Sequence, residues 1–157
     1  MRRTRVITVS GARSGVGKTR LIELLVPCLG RCAVVKARVE EGRELSELVE
    51  DDPVVNRQKD TGRYLAAGAE RAWLITGPAE QVRRAVERIV ACGQYEVVVV
   101  ESNQMARQLD SDLSLFLRGK GESKPGAEAC QRGADVVIWS VSHKRREDRC
   151  RKNRERR

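Results

Sequence analysis

Short apolar runs alternate along this chain with apolar stripes of helical spacing. Val6-Ile7-Thr8-Val9 is a β-branched run and predicts a buried strand. Leu21, Ile22, Leu24, Leu25, Cys28 and Leu29 recur at helical period, and Gly30 supplies a stop. Residues 32–37 predict a second strand. Residues 39–60 are polar and acidic and break the pattern, which predicts a functional loop with a short helix over 43–49. A short helix is expected over 61–69 and a strand over 71–76. Pro78 suits the first turn of a helix whose buried face is Val82, Ala85, Val86, Ile89 and Val90, closed by Gly93. Residues 95–100 form a continuous apolar strand ending in Glu101. A loop over 102–111, a strand over 113–117, a helix over 124–132 and a last strand over 136–141 complete the pattern. Strands that alternate with helices, several of them apolar throughout, predict an α/β fold. Its sheet should be mostly parallel and covered by helices on both faces.

Ligands in such sheets bind at the carboxyl ends of the strands. Residues 11–18, Lys36, Thr76, Glu101 and Ser140 are expected there. Between the first strand and the first helix stands Gly11-Ala12-Arg13-Ser14-Gly15-Val16-Gly17-Lys18-Thr19-Arg20. A strand, a glycine loop, Lys-Thr and a helix are the context of a phosphate-binding P-loop. The glycines let the backbone point its N–H groups at an anion, and the helix adds its positive dipole end. The strict pattern asks for Gly at position 12, where this chain has Ala12 beside Gly11.

Lys18 is expected to reach the β- and γ-phosphates of a bound nucleotide, and the Thr19 hydroxyl to ligate Mg²⁺. Glu101, at the tip of Val97-Val98-Val99-Val100, supplies the acid that such a site needs to complete the metal shell. Lys18 and Glu101 are therefore the expected catalytic pair. The nucleotide-binding set is Ala12, Arg13, Ser14, Gly15, Val16, Gly17, Lys18, Thr19 and Arg20, with Lys36 and Asp60 nearby. Arg13 would lean on the phosphates, reach a second subunit, or lie in solvent. Lys36 would meet a phosphate or a substrate anion. Asp60 and Arg63 would bind substrate or metal, or serve as a helix cap and a surface charge.

A chain of 157 residues fits one domain, expected over 1–143, with a tail at 144–157. The tail holds nine Lys/Arg and three Asp/Glu, so six of the nine net positive charges lie in it. Nucleic acid is one partner for such a tail, but it has no aromatic residue to stack on a base, and a solvated terminus is the favoured reading. No apolar run nears the roughly 20 residues of a membrane span. The N-terminus lacks the apolar core of a secretory signal, so a cytoplasmic location is expected. Five cysteines at irregular spacing read as buried reduced thiols rather than a metal site. His143 is the only histidine, and no nucleophilic triad can be drawn around it.

Several segments resemble, in order, the MobB family of molybdopterin-guanine dinucleotide biosynthesis adaptor proteins. They are Ser10 to Glu23 across the glycine loop, Ala33-Val34-Val35-Lys36, Lys59-Asp60-Thr61-Gly62-Arg63-Tyr64-Leu65-Ala66-Ala67-Gly68-Ala69, and the run ending in Glu101. The resemblance covers 5–101 well and 102–141 loosely. It implies a GTP-binding, usually dimeric P-loop protein with weak GTPase activity that assists the enzyme attaching a guanine nucleotide to molybdopterin. The family often has His after the second-strand Lys and Gly after the acid, where this chain has Ala37 and Ser102. No guanine-reading Asn-Lys-x-Asp is present, so GTP rests on the resemblance and ATP stays open. Backbone groups near 140–142 would read the base. Slow hydrolysis is expected because no Gln or His is obviously placed to orient water. Two other readings use the same loop: a small-molecule kinase, and a nucleic-acid-binding ATPase that employs the tail.

Overall fold

The computed structural model describes residues 3–52, 54 and 58–141. Seven strands form one sheet: β1 (Arg5–Gly11), β2 (Cys32–Val39), β3 (Ser46–Glu50), β4 (Arg71–Gly77), β5 (Val97–Glu101), β6 (Leu113–Arg118) and β7 (Val136–Trp139). Their order is β3-β4-β2-β5-β1-β6-β7, and every pairing is parallel except β3 with β4. Five helices cover the sheet: α1 (Lys18–Leu25), α2 (Asp60–Ala66), α3 (Ala79–Ala91), α4 (Asn103–Gln108) and α5 (Ala127–Gly133).

Alternation along the strands divides the core. Ile7, Val9, Val34, Val99 and Leu117 pack with Ile22 of α1 and with Tyr64 and Leu65 of α2. Val6, Val35, Val98 and Val100 pack on the opposite face with Val82, Ala85, Val86 and Ile89 of α3 and Met105 of α4. Phe116 meets Ala127 and Cys130 of α5. Strands buried on both faces must be apolar at every position, which is why β5 reads Val-Val-Val-Val. The crossover from β1 runs to the β2 side, and that from β5 runs to the β6 side. Each passes over the other's strand, α1 on one face and α4 on the other, so the chain leaves the neighbouring tips of β1 and β5 on opposite faces.

Three local expectations need correction. Residues 46–50 form β3 instead of a helix. Leu45, Leu48 and Val49 have helical spacing, but the segment pairs antiparallel with β4 and covers its open edge. Residues 102–111, expected as loop, contain α4. The Ser102 hydroxyl caps it by accepting the Met105 N–H at 3.2 Å, and Met105 is fully buried. Cys28 is exposed rather than buried, because α1 stops at Leu25 and a 3₁₀ turn at Val26–Cys28 shifts the phase of the stripe. Cys92 is also exposed, whereas Cys32 and Cys130 are buried, and burial pushes the Cys32 thiol up to about 11. Among the described residues no helix is long and apolar enough to cross a membrane. His143, Cys150 and the tail at 144–157 lie outside the described residues.

Candidate phosphate-binding site

The glycine loop is held down before it turns. Gly11 has no room for a side chain: a Cβ there would lie 2.8 Å from Val16 Cγ1, 3.2 Å from Lys18 Cδ and 3.3 Å from the Leu117 carbonyl. Asn103, at the start of α4, clamps both polar groups of Gly11. Its Oδ1 accepts the Gly11 N–H at 2.9 Å and its Nδ2 donates to the Gly11 carbonyl at 2.9 Å. Ala12 donates its N–H to Leu117 O at 2.9 Å and accepts the Lys124 N–H at 2.7 Å. Ala12 and Val16 are buried, at 2% and 3% exposure, so they anchor the loop from beneath. Ala where the strict pattern wants Gly is therefore accommodated.

Gly15 and Gly17 take left-handed φ values of 74° and 109°, which a side chain would strain. That conformation turns the chain directly into α1, whose N-cap is Gly17. Lys18 arches back over the loop and donates to the Arg13 carbonyl at 3.3 Å. Burial lowers the Lys18 pKa; Glu101 opposes the shift, while Lys124 and Lys36 reinforce it. A group kept short of negative charge in this way gains from an arriving anion.

The opposite wall carries the acids. Strand register sets Lys36 of β2 beside Glu101 of β5. Glu101 is buried, at 7% exposure. The fully buried Tyr64 donates its hydroxyl to Glu101 Oε2, and Lys36 Nζ lies 3.9 Å from the same oxygen. Burial pushes the Tyr64 hydroxyl up, and the Glu101 charge adds to the shift. Lys36 also forms a close ion pair with Asp60 Oδ2, and Thr19 Oγ1 donates to Asp60 Oδ1 at 3.1 Å. Burial alone would raise the Asp60 carboxyl, but the Lys36 hydrogen bond and charge, with Thr19, hold it below its ordinary value. Arg63 makes a two-pronged pair with Glu23, at 2.9 and 2.7 Å, which ties α2 to α1.

Ser14, Gly15, Gly17, Lys18, Thr19, Arg20, Lys36, Asp60 and Glu101 thus converge, with Arg63, on one polar hollow of about 530 Å³. Arg13 does not line it. Its guanidinium lies along the turn before α5, where a Cβ on Gly121 would meet it at 2.5 Å. Thr76 is likewise absent from its lining. Ser140 stands over Gly17, with its Oγ 3.6 Å from the Cβ that Gly17 lacks. Sequence reasoning did not single out Tyr64, Asn103 or Glu23. Tyr64 had a signal, since it stands four residues after Asp60 on one helix face. Asn103 had none, because its partner Gly11 is 92 residues away.

No family model and no curated protein matches the sequence. Solved structures do. LpxK from Aquifex aeolicus, in complex with ATP, superposes with a TM-score of 0.57 at 17% identity, over 88% of this chain and 48% of its own. HypB from Helicobacter pylori, in complex with nickel, gives a TM-score of 0.52 at 17% identity, over 88% of this chain and 64% of its own. Both are P-loop NTPases. This chain has the P-loop NTPase fold. It spans about half the length of LpxK and less than two thirds of HypB. The ATP and the nickel belong to those proteins. What carries over is the architecture, a mostly parallel α/β sheet covered by helices.

Proposed function

We propose that this chain binds a nucleoside triphosphate with Mg²⁺ and hydrolyses it slowly. One observation carries the reading: Lys18 and the left-handed turn at Gly15 and Gly17 face buried Glu101 across a single polar hollow. In this reading the backbone N–H groups of 15–19 cradle the phosphates and Lys18 meets their outer oxygens. Thr19 and Glu101 hold the metal, with Asp60 beside them. Their donors are hard oxygens, which suit Mg²⁺. Among the described residues no three His, Cys, Asp or Glu side chains gather into a metal site, so phosphate and water would supply the remaining ligands. Bound Mg²⁺ supplies charge neutralisation at the phosphates. Lys36 pairs with Asp60 and lies 3.9 Å from Glu101, and in this reading its ammonium would also be available to the phosphates.

The resemblance to MobB extends the proposal to GTP, a homodimer, a cytoplasmic setting, a molybdopterin-type ligand and a cofactor-assembly enzyme as partner. Thermal-shift titrations with GTP and ATP, each with and without Mg²⁺, test the core of it. A Mg²⁺-dependent rise in melting temperature is expected, larger for GTP. No shift with either nucleotide overturns the reading, and a shift with ATP alone removes the GTP extension. Phosphotransfer to an acceptor is the second reading, favoured by a further hollow that adjoins Lys18. Use of the tail for nucleic acid predicts that removing 144–157 abolishes salt-dependent nucleic-acid binding and leaves nucleotide affinity unchanged.

A further inference from the structure

Ser14, Lys18, Lys36 and Glu101 form a wall with two sides. One side faces the phosphate hollow; the other faces a second hollow of about 350 Å³. The second hollow is closed by β2 at Arg38, by α4 at Gln104 and by the turn before α5 at Lys124. Four cations and a single carboxylate therefore line it. That carboxylate, Glu101, already receives Tyr64 and Lys36, and Lys36 is further engaged by Asp60. Arg38 and Lys124 form no ion pair with the described residues, and Lys124 reaches only the Ser14 hydroxyl, at 2.7 Å.

Two uncompensated cations on different elements match the two charges of a phosphate monoester. Arg38 offers a planar fork and Lys124 a mobile point charge, which is a common division of labour at phosphate sites. The volume lies at the small end of the range for small-molecule sites, roughly 300–1,000 Å³, and suits a compact molecule rather than a protein segment. The geometry points to a second ligand site that takes a small phosphate-bearing molecule, with its phosphate on Arg38 and Lys124 and its other end against Lys18. This deepens the proposed function, because it rests on the first hollow being the triphosphate site. It makes the chain a two-ligand protein in which one ligand meets the other across Lys18.

Inorganic phosphate is the probe. Wild-type chain saturated with Mg²⁺ and a β,γ-imido nucleotide is titrated with phosphate by calorimetry, with acetate as the singly charged control. Saturable phosphate binding is expected, weakened at least tenfold in Arg38→Gln and in Lys124→Gln. Arg132→Gln, which loses the same charge at the far end of α5, should bind phosphate like wild type. Arg38→Gln should keep wild-type nucleotide affinity. Non-saturable binding, equal loss in Arg132→Gln, or equal binding of acetate overturns the second site. Failure of the nucleotide to bind wild type overturns the first hollow instead. The same phosphate titration on nucleotide-free chain then decides the second site through its dependence on Arg38.

Discussion

Two charged hollows lie at opposite ends of the sheet, and they are built differently. The one at the strand starts, about 650 Å³, is larger than the proposed phosphate hollow and is lined by Arg3, Arg5, Arg31, Glu96 and Asp112. Two of its arginines make surface pairs. Arg31 meets Glu70 at 2.9 Å with both side chains well exposed, and Arg3 meets Asp112 at 3.4 Å with Arg3 71% exposed. At the strand tips, by contrast, the carboxylate of Glu101 is buried, its hydrogen-bond donor Tyr64 is fully buried, and the loop in front is clamped by Asn103. Burying an acid and a lysine costs stability that surface pairs never spend. In the proposed reading size therefore does not mark the site; the retained electrostatic cost does.

The widest gap between the two ends should come from Lys18→Ala. Removing a charged contact worth about 3 kcal/mol should weaken Mg²⁺-nucleotide binding about 100-fold, read by calorimetry. Thermal melting should show the chain still folded, since the Lys18 head bonds only a carbonyl of its own loop. Unchanged affinity would make the two hollows equivalent and dissolve the comparison. Tyr64→Phe comes next, because it leaves a buried carboxylate oxygen short of a donor. A cost of about 1–3 kcal/mol is expected, or roughly 2–10 °C in melting temperature. The loss should shrink when Mg²⁺ and nucleotide are added, since in the proposed reading Glu101 would then face the metal. An equal loss with and without them would mean that Tyr64 serves the fold alone.

Much of this division was legible in the chain itself. The β-branched runs and the glycine loop placed the strands and Lys18, because these signals are local and follow from backbone sterics and period. Glu101 was legible as the polar end of an apolar run. The Lys36 pair with Glu101 was not, since it depends on β2 lying beside β5, which is a matter of topology. β3 was misread because the free edge of β4 decided its state against its own helical spacing. α4 was missed for its brevity, although Ser102 and Met105 carried a cap signal. Asn103 illustrates the limit: a polar residue in a polar stretch becomes a clamp only when the sheet brings Gly11 to it.

Asn103→Ala sharpens the contrast at a smaller scale. It leaves the Gly11 N–H and carbonyl without their partners and should loosen the loop, lowering nucleotide affinity about tenfold with little change in Mg²⁺ dependence. An undiminished affinity would show that the loop holds its shape without the clamp. Asp60 should give a pH signature. Its carboxyl is held below the ordinary 3.8, so its ionised form favours the folded state. That contribution is complete above about pH 4 and is lost as the pH falls through the lowered value. Asp60→Asn should therefore flatten the melting-temperature profile below about pH 4, modestly, because the side chain is 30% exposed and solvent screens the pair. Identical profiles would place the acid sensitivity elsewhere.

The smallest effect belongs to the other end of the sheet. Arg31→Gln removes a short pair, a guanidinium Nε donating to Glu70 at 2.9 Å. Both partners stand in solvent, so water replaces the lost hydrogen bond, and salt already screens the attraction. Melting temperature and nucleotide affinity should both stay at wild-type values in physiological salt. Because Arg31 lines the larger hollow, this null result would separate volume from function directly. A loss of nucleotide affinity in Arg31→Gln without loss of stability would reverse the comparison and move the search for the ligand to the strand starts.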